Sequence, residues 1–228
     1  MRRLKLFMLI FTIMSASMAT AQTNDSQTDD IIVSGAIQVG ANYWDLFGIH
    51  ATENVALYTE VMAIHKSGFG LGYFAYDDFS KEEMGRLRFF DALYTTTIGE
   101  NIALYSAFEY VTYDNWHDGE SFMPYAIVTY NKGLWSYEVA PMLAYFPHFD
   151  TDKVEFTAYG KVKRNIFKNV DVHATVWYDN LYEKHFYGAV GAEVTLPKDW
   201  YVKGNLLYRD GDKFVPFISL GWRFSTDK

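Results

Sequence analysis

The sequence predicts an all-β protein that closes into an antiparallel up-and-down transmembrane β-barrel of about twelve strands, with about ten as the alternative. Three observations support this prediction. Apolar and polar residues alternate along a dozen segments. Short turns containing Gly and Asn alternate with longer, mostly acidic connections. Aromatic residues recur at both ends of the apolar faces, as they do where strands cross a bilayer.

The N-terminus has the three parts of a secretory signal peptide. A basic start (Met1–Lys5) precedes an apolar run (Leu6–Met14), and small residues then lead to Ala21. The apolar run is much shorter than the roughly 20 residues that a membrane-spanning helix needs, which disfavours a membrane anchor. We therefore expect an exported protein, cleaved after Ala21 (signal peptide 1–21), and located in the outer membrane of a Gram-negative bacterium.

The rest of the chain is expected to form one domain with two polar ends. Residues 22–30 lack periodicity and are predicted to be a disordered periplasmic leader, the barrel covers 31–224, and 225–228 form a polar tail. Loss of the signal peptide lowers the Lys and Arg count from 20 to 17 against 28 acidic residues, a formal charge of −11. This charge argues against nucleic acid as a partner. The sequence contains no cofactor motif, and we expect none to be bound.

The predicted strands follow one another with tight and long connections in turn. Gly and Asn in the tight connections supply the positive φ that hairpin turns require. Because the strand count is even, both termini lie on the side of the tight turns, which is periplasmic in outer-membrane barrels. The predicted strands are 31–44, 55–66, 69–77, 87–98, 102–113, 122–131, 134–146, 154–163, 170–179, 186–196, 200–209 and 214–224.

The apolar faces could contact a protein core or lipid, and the aromatic spacing favours lipid. Trp135 and Tyr145 lie on one face, and the strand between them is roughly 34 Å long. Because strands tilt by about 40° from the barrel axis, this length corresponds to about 26 Å along the axis. This height matches the apolar band of about 25 Å between aromatic girdles. A soluble sandwich would alternate as well, but without such regular aromatic ends. The predicted lipid-facing girdle comprises Trp135, Tyr145, Trp200, Tyr208, Trp222 and Phe224.

The opposite faces carry charged residues that are expected to line a lumen. The predicted strands two, four, five and seven supply acidic groups, whereas strands eight, eleven and twelve supply most of the basic ones. Opposed charges across a channel orient polar solutes. The alternative is that these charges pair and plug the barrel, and the sequence leaves both open. The candidate lumen residues are Glu60, Asp91, Glu109, Glu138, Tyr159, Lys161, His173, Glu193, Lys203, Arg209 and Arg223.

Four histidines beside acidic connections raise the alternative of a lipid-handling enzyme. A histidine that acts as a general base in such an enzyme would need a serine nucleophile. The only nearby serine, Ser121, lacks a recognisable nucleophile setting. The spacing of the histidines and carboxylates matches no fixed metal-ligand motif. We therefore expect no enzyme activity and no metal site. The histidines are His50, His117, His148 and His185.

Two prolines fall on neighbouring predicted strands. Pro124 and Pro141 each lack an N–H for the strand ladder. With the turn at 131–133 as centre, residue 124 is expected opposite residue 140, so both prolines would lie at one height. Such a weakness predicts a bulge that re-aims side chains, or a lateral opening through which apolar molecules exchange with the membrane.

Three stretches resemble small twelve-stranded outer-membrane channels of Gram-negative bacteria. "YWDLFG" (43–48) and "NVALYTEV" (54–61) are similar to the first hairpin of the Tsx-like nucleoside channels, and the C-terminal "LGWRF" (220–224) is similar to the last strand of such channels. The oligogalacturonate porins are the second family that the size and strand count resemble. The resemblance implies passive uptake of a small polar solute, with the lipid bilayer, lipopolysaccharide and the outer-membrane insertion machinery as partners. It also implies a strongly basic lumen for the second family, from which the acidic wall departs.

Overall fold

The computed structural model describes residues 30–44, 50–78, 86–113, 120–148, 154–180, 185–209 and 212–227. The expected signal peptide and the leader up to residue 29 lie outside these residues. In the described part of the chain, no helix has the length and apolar character to cross a membrane. The strands are β1 (Ile31–Trp44), β2 (His50–His65), β3 (Phe69–Asp77), β4 (Arg86–Ile98), β5 (Ile102–Tyr113), β6 (Glu120–Lys132), β7 (Trp135–Tyr145), β8 (Val154–Phe167), β9 (Val170–Asp179), β10 (His185–Thr195), β11 (Trp200–Arg209) and β12 (Asp212–Ser225).

The twelve strands form one closed barrel. Each strand pairs antiparallel with its neighbours in sequence, and β1 closes the barrel by pairing with β12 from Ser34↔Ser225 to Ala41↔Ile218. Closure leaves no unpaired sheet edge, which would otherwise expose a row of backbone N–H and C=O groups. The predicted fold class is confirmed, with twelve strands rather than ten.

Two strand boundaries differ clearly from the sequence-based prediction. β2 begins at His50, five residues earlier than predicted, and β8 continues to Phe167, four residues further. In β8 the side chain of Asn165 donates a hydrogen bond of 2.9 Å to Asp171, across the end of the hairpin. The turn between β8 and β9 is therefore only two residues long, because the alternation in β8 runs on past Lys163.

Aromatic side chains on the outer face gather near both ends of the strands. At the end with the short turns, the indole N–H of Trp222 donates to the carbonyl of Lys198 at 3.1 Å, and the guanidinium of Arg164 lies 4.9 Å from the ring centre of Trp135. At the opposite end, the rings of Tyr208 and Phe214 lie 5.6 Å apart. Rings with an apolar body and a polar tip are stabilised at bilayer interfaces, so this outer face suits a membrane.

Both termini of the barrel are fastened at the short-turn end. The ammonium of Lys66 lies 2.6 Å from the carboxylate of Asp30, and its hydrogen bond and charge lower the pKa of that exposed carboxyl. At the C-terminus, the backbone N–H of Thr226 donates to the carbonyl of Val33 at 2.9 Å. The last strand therefore includes Ser225, one residue beyond the expected end of the barrel.

Candidate functional site

The inward and outward faces of the barrel are distinguished by side-chain burial. Along β7 the residues from Ser136 to Ala144 alternate with exposed residues from Trp135 to Tyr145. The exposed set is aromatic or apolar, whereas the other set points into the barrel, where neighbouring strands cover it. The same alternation along the other strands assigns an inner face to each.

Two groups of charged residues lie on the inner face. The acidic arc consists of Glu60, Asp91, Glu109 and Glu138, on β2, β4, β5 and β7. The basic arc consists of Lys161, Lys203 and Arg223, on β8, β11 and β12. Because neighbours in sequence are neighbours around the barrel, each arc occupies one side of it. We call the two arcs together the charged belt.

The remaining candidate residues lie mainly with the basic arc. His173 and Glu193 are on the inner faces of β9 and β10, and Glu193 is directly opposite Lys203 in the ladder. Tyr159 lies on β8 and is almost fully buried. The backbone of Arg209 pairs with Tyr187, and its side chain lies outside the described part of the structure.

Ion pairs hold most of the basic arc. Arg223 donates two hydrogen bonds of 2.8 Å to the carboxylate of Glu193, and its guanidinium lies 3.9 Å from the ring centre of Tyr201. Lys161 lies 3.5 Å from the carboxylate of Glu138, which joins the ends of the two arcs at β7 and β8. Lys203 is different, because it makes no hydrogen bond or ion pair with any described residue.

On the acidic side, Asp91 is the centre of a buried polar cluster. The hydroxyls of Tyr105 and Tyr125 each donate a hydrogen bond of 2.9 Å to Oδ2 of Asp91. Their rings stack with centres 5.8 Å apart. Glu109 lies directly opposite Asp91 on β5. The other carboxylate oxygen of Asp91 is buried without a hydrogen-bond partner in the described part of the structure.

A hydrogen bond spans three strands on the basic side. The ring Nε2 of His173 on β9 lies 2.8 Å from Oδ1 of Asn205 on β11, and Gly191 of β10 lies between them in the ladder. A Cβ at Gly191 would overlap Asn205 and come within 2.8 Å of His173. The glycine is therefore required for this bridge, which fixes the imidazole on the lumen wall.

The half of the interior nearest the long connections is packed with apolar side chains, which the sequence-based analysis did not predict. Met142 and Leu207 are 1% and 2% exposed, and Trp177 and Phe217 on other strands pack into the same cluster. The available signal was β7, whose two faces are both apolar from Val139 to Phe146. A strand facing lipid on one side and water on the other would not read this way.

The four candidate histidines lie at or beyond strand ends or outside the described residues. His148 is exposed just beyond β7, whereas His50 and His185 are the first residues of β2 and β10 rather than loop residues. His117 lies outside the described residues. Ser121 is fully buried, which removes it from solvent. No group of three potential metal ligands occurs among the described side chains.

The two prolines lie in the seam between β6 and β7. The register places 124 opposite 143 and 126 opposite Pro141, so the expected pairing of 124 with 140 is wrong by three residues. The cause is the turn, which is centred between Gly133 and Leu134. β6 and β7 pair on either side of both prolines in one unchanged register, but the ladder is interrupted at Pro124 and at Pro141. Each proline pairs normally on its other side, so both missing N–H groups face this one seam.

Twelve antiparallel strands, an aromatic-ended apolar exterior and a charged interior are the features of a transmembrane β-barrel. Several solved structures share the fold, among them two porins and a further outer membrane channel. The KdgM porin matches with a TM-score of 0.62 at 10% identity, over 84% of this chain and 98% of that chain. The NanC porin matches with a TM-score of 0.52 at 10% identity, over 87% and 99% of the two chains.

An outer membrane channel from Pseudomonas putida F1 matches with a TM-score of 0.51 at 9% identity, over 89% of this chain and 100% of that chain. No protein-family model and no curated protein matches the sequence. At these identities the likeness is one of fold. The matched structures are porins and channels.

Proposed function

We propose that this protein is an outer-membrane channel for the passive, substrate-preferring diffusion of small polar solutes of a nucleoside-like or sugar-like kind. The observation that carries the proposal is the charged belt, in which an acidic arc faces a basic arc inside a closed barrel. Opposed charges across a narrow lumen create a transverse field, which orients dipolar solutes as they pass.

Lys203 is the residue of the belt best suited to select solutes. The carboxylate opposite it, that of Glu193, is occupied by two hydrogen bonds from Arg223. An ammonium without a partner in a half-buried position is stabilised by an anionic or strongly polar group of a passing solute. Among the described residues of the basic arc, Arg223 and Lys161 each pair with a carboxylate, whereas Lys203 does not.

Aromatic side chains of the packed interior are a second group that could contact the same solutes. Tyr159, Trp177 and Tyr187 lie on the inner faces of three consecutive strands, β8 to β10, where they are packed in the buried cluster, so a solute would contact them only as it displaces neighbouring side chains. Aromatic faces stack on rings and sugars, and phenol hydroxyls hydrogen-bond to them. One matched structure is a KdgM porin in complex with disordered oligogalacturonate. The acidic arc of the present barrel favours solutes that carry a dipole or both charges over purely anionic ones.

The test is the swelling of proteoliposomes in three sugars of nearly equal size: glucose, glucuronate and glucosamine. We expect all three to enter faster than in protein-free liposomes. Replacing Lys203→Gln should slow glucuronate relative to glucosamine by about fivefold, the effect of roughly 1 kcal/mol of charge interaction. Lys198→Gln, in the exposed turn before β11, is the matched control and should leave the ratio unchanged. Entry of none of the sugars would contradict the channel function.

A second candidate function is a plugged structural or adhesion barrel, and the packed apolar half of the interior favours it. Side chains such as Met142 are as buried there as in the core of a soluble protein. In that case the folded protein would leave liposomes impermeable to every sugar, and substitutions in the belt would change stability only. The swelling assay therefore separates the two functions directly.

The proposed location and partners follow from the outer face. The two aromatic girdles would lie at the two interfaces of the bilayer, with lipopolysaccharide around the end that carries the long connections. The aromatic C-terminal strand, with Trp222 and Phe224, would be the element that the insertion machinery recognises. Fractionation of the cell envelope would test the location, since recovery in the inner membrane or the periplasm would contradict it.

A further inference from the structure

The apolar packing at the long-connection end of the interior extends around nearly the whole barrel. The larger cluster draws buried side chains from β5 to β12, including Val111, Met123, Met142, Tyr159, Trp177 and Phe217. A smaller cluster of Ala56, Tyr76 and Leu87 covers β2 to β4. Phe89 packs against both clusters and joins them. Together they form a layer to which eleven strands contribute, and we call it the apolar barrier.

The barrier lies nearer the long connections than most of the charged belt, whereas Glu109 of the belt is directly opposite Met123 of the barrier. Tyr76, Leu87 and Tyr187 each lie within two residues of the strand end next to a long connection. In contrast, Glu138 and Glu193 lie within four residues of the strand end next to a short turn. A solute that enters from the long-connection end therefore meets the barrier, with Asp91 and Glu109 beside it, before it reaches the basic arc.

An apolar constriction of this kind treats different solutes very differently. Few polar groups are buried in this layer, among them Ser121, Thr157 and Glu155. Small ions and bare polar groups would exchange their water for these few groups, which is unfavourable. Apolar constrictions in channels exclude ions by remaining dry. A solute with an aromatic or aliphatic face loses little, because it exchanges contacts with other apolar molecules for contacts with the barrier.

The part of the barrier best suited to yield is the seam between β6 and β7. Met123 and Met142 lie on its inner side, and methionine adapts its shape more readily than any other apolar side chain. Pro124 and Pro141 are in the same seam and remove two ladder hydrogen bonds from it. Flexible side chains and a weakened ladder thus occur at one place on the wall.

We propose that the apolar barrier makes the channel selective for solutes that carry an apolar face, and that it keeps the lumen closed to small ions. The inference rests on the proposed channel function and assigns the class of solute to it. Among sugar-like or nucleoside-like molecules, those with an attached ring or alkyl group pass most easily. The charged belt then acts on the polar part of the same solute.

The experiment compares methyl β-glucoside with phenyl β-glucoside in proteoliposomes that contain the full chain, with the entry rates of protein-free liposomes subtracted. The two solutes share one sugar and have no charge, and the phenyl compound is the larger. In an open aqueous pore the smaller methyl glucoside enters faster. The barrier predicts the opposite order, with phenyl glucoside about threefold faster or more.

A second measurement removes the barrier. In planar bilayers we expect very low KCl conductance from the wild type, and an increase of about tenfold or more from Met123→Ser/Met142→Ser, because hydroxyls let water enter the constriction. Met62→Ser, on the inner face of β2 outside both clusters, is the matched control and should leave the conductance low. Heat-dependent gel mobility identifies folded protein, and Met123→Ser alone provides the same readout if the double variant does not insert.

The outcomes separate this inference from the channel function. Faster entry of phenyl glucoside, together with the gain of conductance, supports the barrier. Faster entry of methyl glucoside, or high KCl conductance of the wild type, overturns the barrier and leaves the channel function intact. Entry of neither glucoside overturns the channel function, and the selectivity proposed here with it.

Discussion

The glycine in the last strand, Gly221, gives a sharp test of how the barrel interior is packed. Its backbone lies opposite Tyr201 of β11, and a Cβ at this position would overlap the ring and hydroxyl of that tyrosine. Tyr201 donates a buried hydrogen bond of 3.0 Å to Oε1 of Gln38 and carries the guanidinium of Arg223 on its ring face. We therefore expect Gly221→Ala to displace the ring and disturb both contacts.

The size of the effect follows from these contacts. Loss of the hydrogen bond to Gln38 amounts to about 1 kcal/mol. The cation–π contact adds about 0.5 kcal/mol at this half-exposed arginine, and overpacking typically adds about 1–3 kcal/mol. The alanine recovers about 0.4–1 kcal/mol by restricting the unfolded chain. The net expectation is a decrease of about 2–4 kcal/mol in the free energy of unfolding.

Urea unfolding in phospholipid vesicles, followed by tryptophan fluorescence, measures this change. Gly204→Ala is the matched control, because the nearest atom to its Cβ is 3.9 Å away and the residue faces outward. The control should raise the free energy of unfolding by about 0.4–1 kcal/mol, the gain from restricting the unfolded chain. If Gly221→Ala were as harmless as the control, the packing of Tyr201 against the glycine would be refuted. A double variant with Tyr201→Ala should recover part of the loss, since the clash is then removed.

Two further predictions concern the lumen wall and the proline seam. Gly191→Ala should break the bridge between His173 and Asn205, which NMR would detect as a changed imidazole resonance, and an unchanged resonance would contradict the bridge. Pro141→Val should restore a donor to the β6–β7 seam and raise the free energy of unfolding by about 1 kcal/mol. Equal uptake of an apolar solute by liposomes carrying wild type or Pro141→Val would exclude a lateral path at this seam.

Strand alternation and turn composition were sufficient to predict most of the fold. The period of two and the glycines at tight turns depend only on local sequence, so ten of the strands begin and end close to the predicted residues. The start of β2 at His50 was missed because the acidic and polar residues before Asn54 resemble a connection. The offset of the prolines was also missed, since moving the turn centre from 131–133 to between 133 and 134 changes every pair of the hairpin.

The site was less accessible to sequence reasoning, because it depends on which inward residues meet across the barrel. Alternation is sufficient to place Glu193 and Arg223 on inner faces, but not to show that the two form an ion pair. The partners belong to strands β10 and β12, which are not adjacent, so the pairing depends on strand tilt and side-chain length. The apolar barrier was missed for a related reason. β7 is apolar on both faces over part of its length, and such a sequence pattern does not show whether the second face contacts lipid, a protein core or side chains from the opposite wall of the barrel.

The closing contact of the barrel has a consequence for how the protein forms. Val33 and Thr226 are bonded through both backbone and side chain, although 193 positions separate them in the sequence. Contacts between residues so far apart are formed late in folding, because closing such a long segment of chain costs conformational entropy before the contacts can stabilise the fold. Until they form, β1 and β12 present open edges that invite pairing with other chains. The contact between Val33 and Thr226 therefore determines when the barrel stops being prone to aggregation, and a variant unable to form it would remain longer in that vulnerable state.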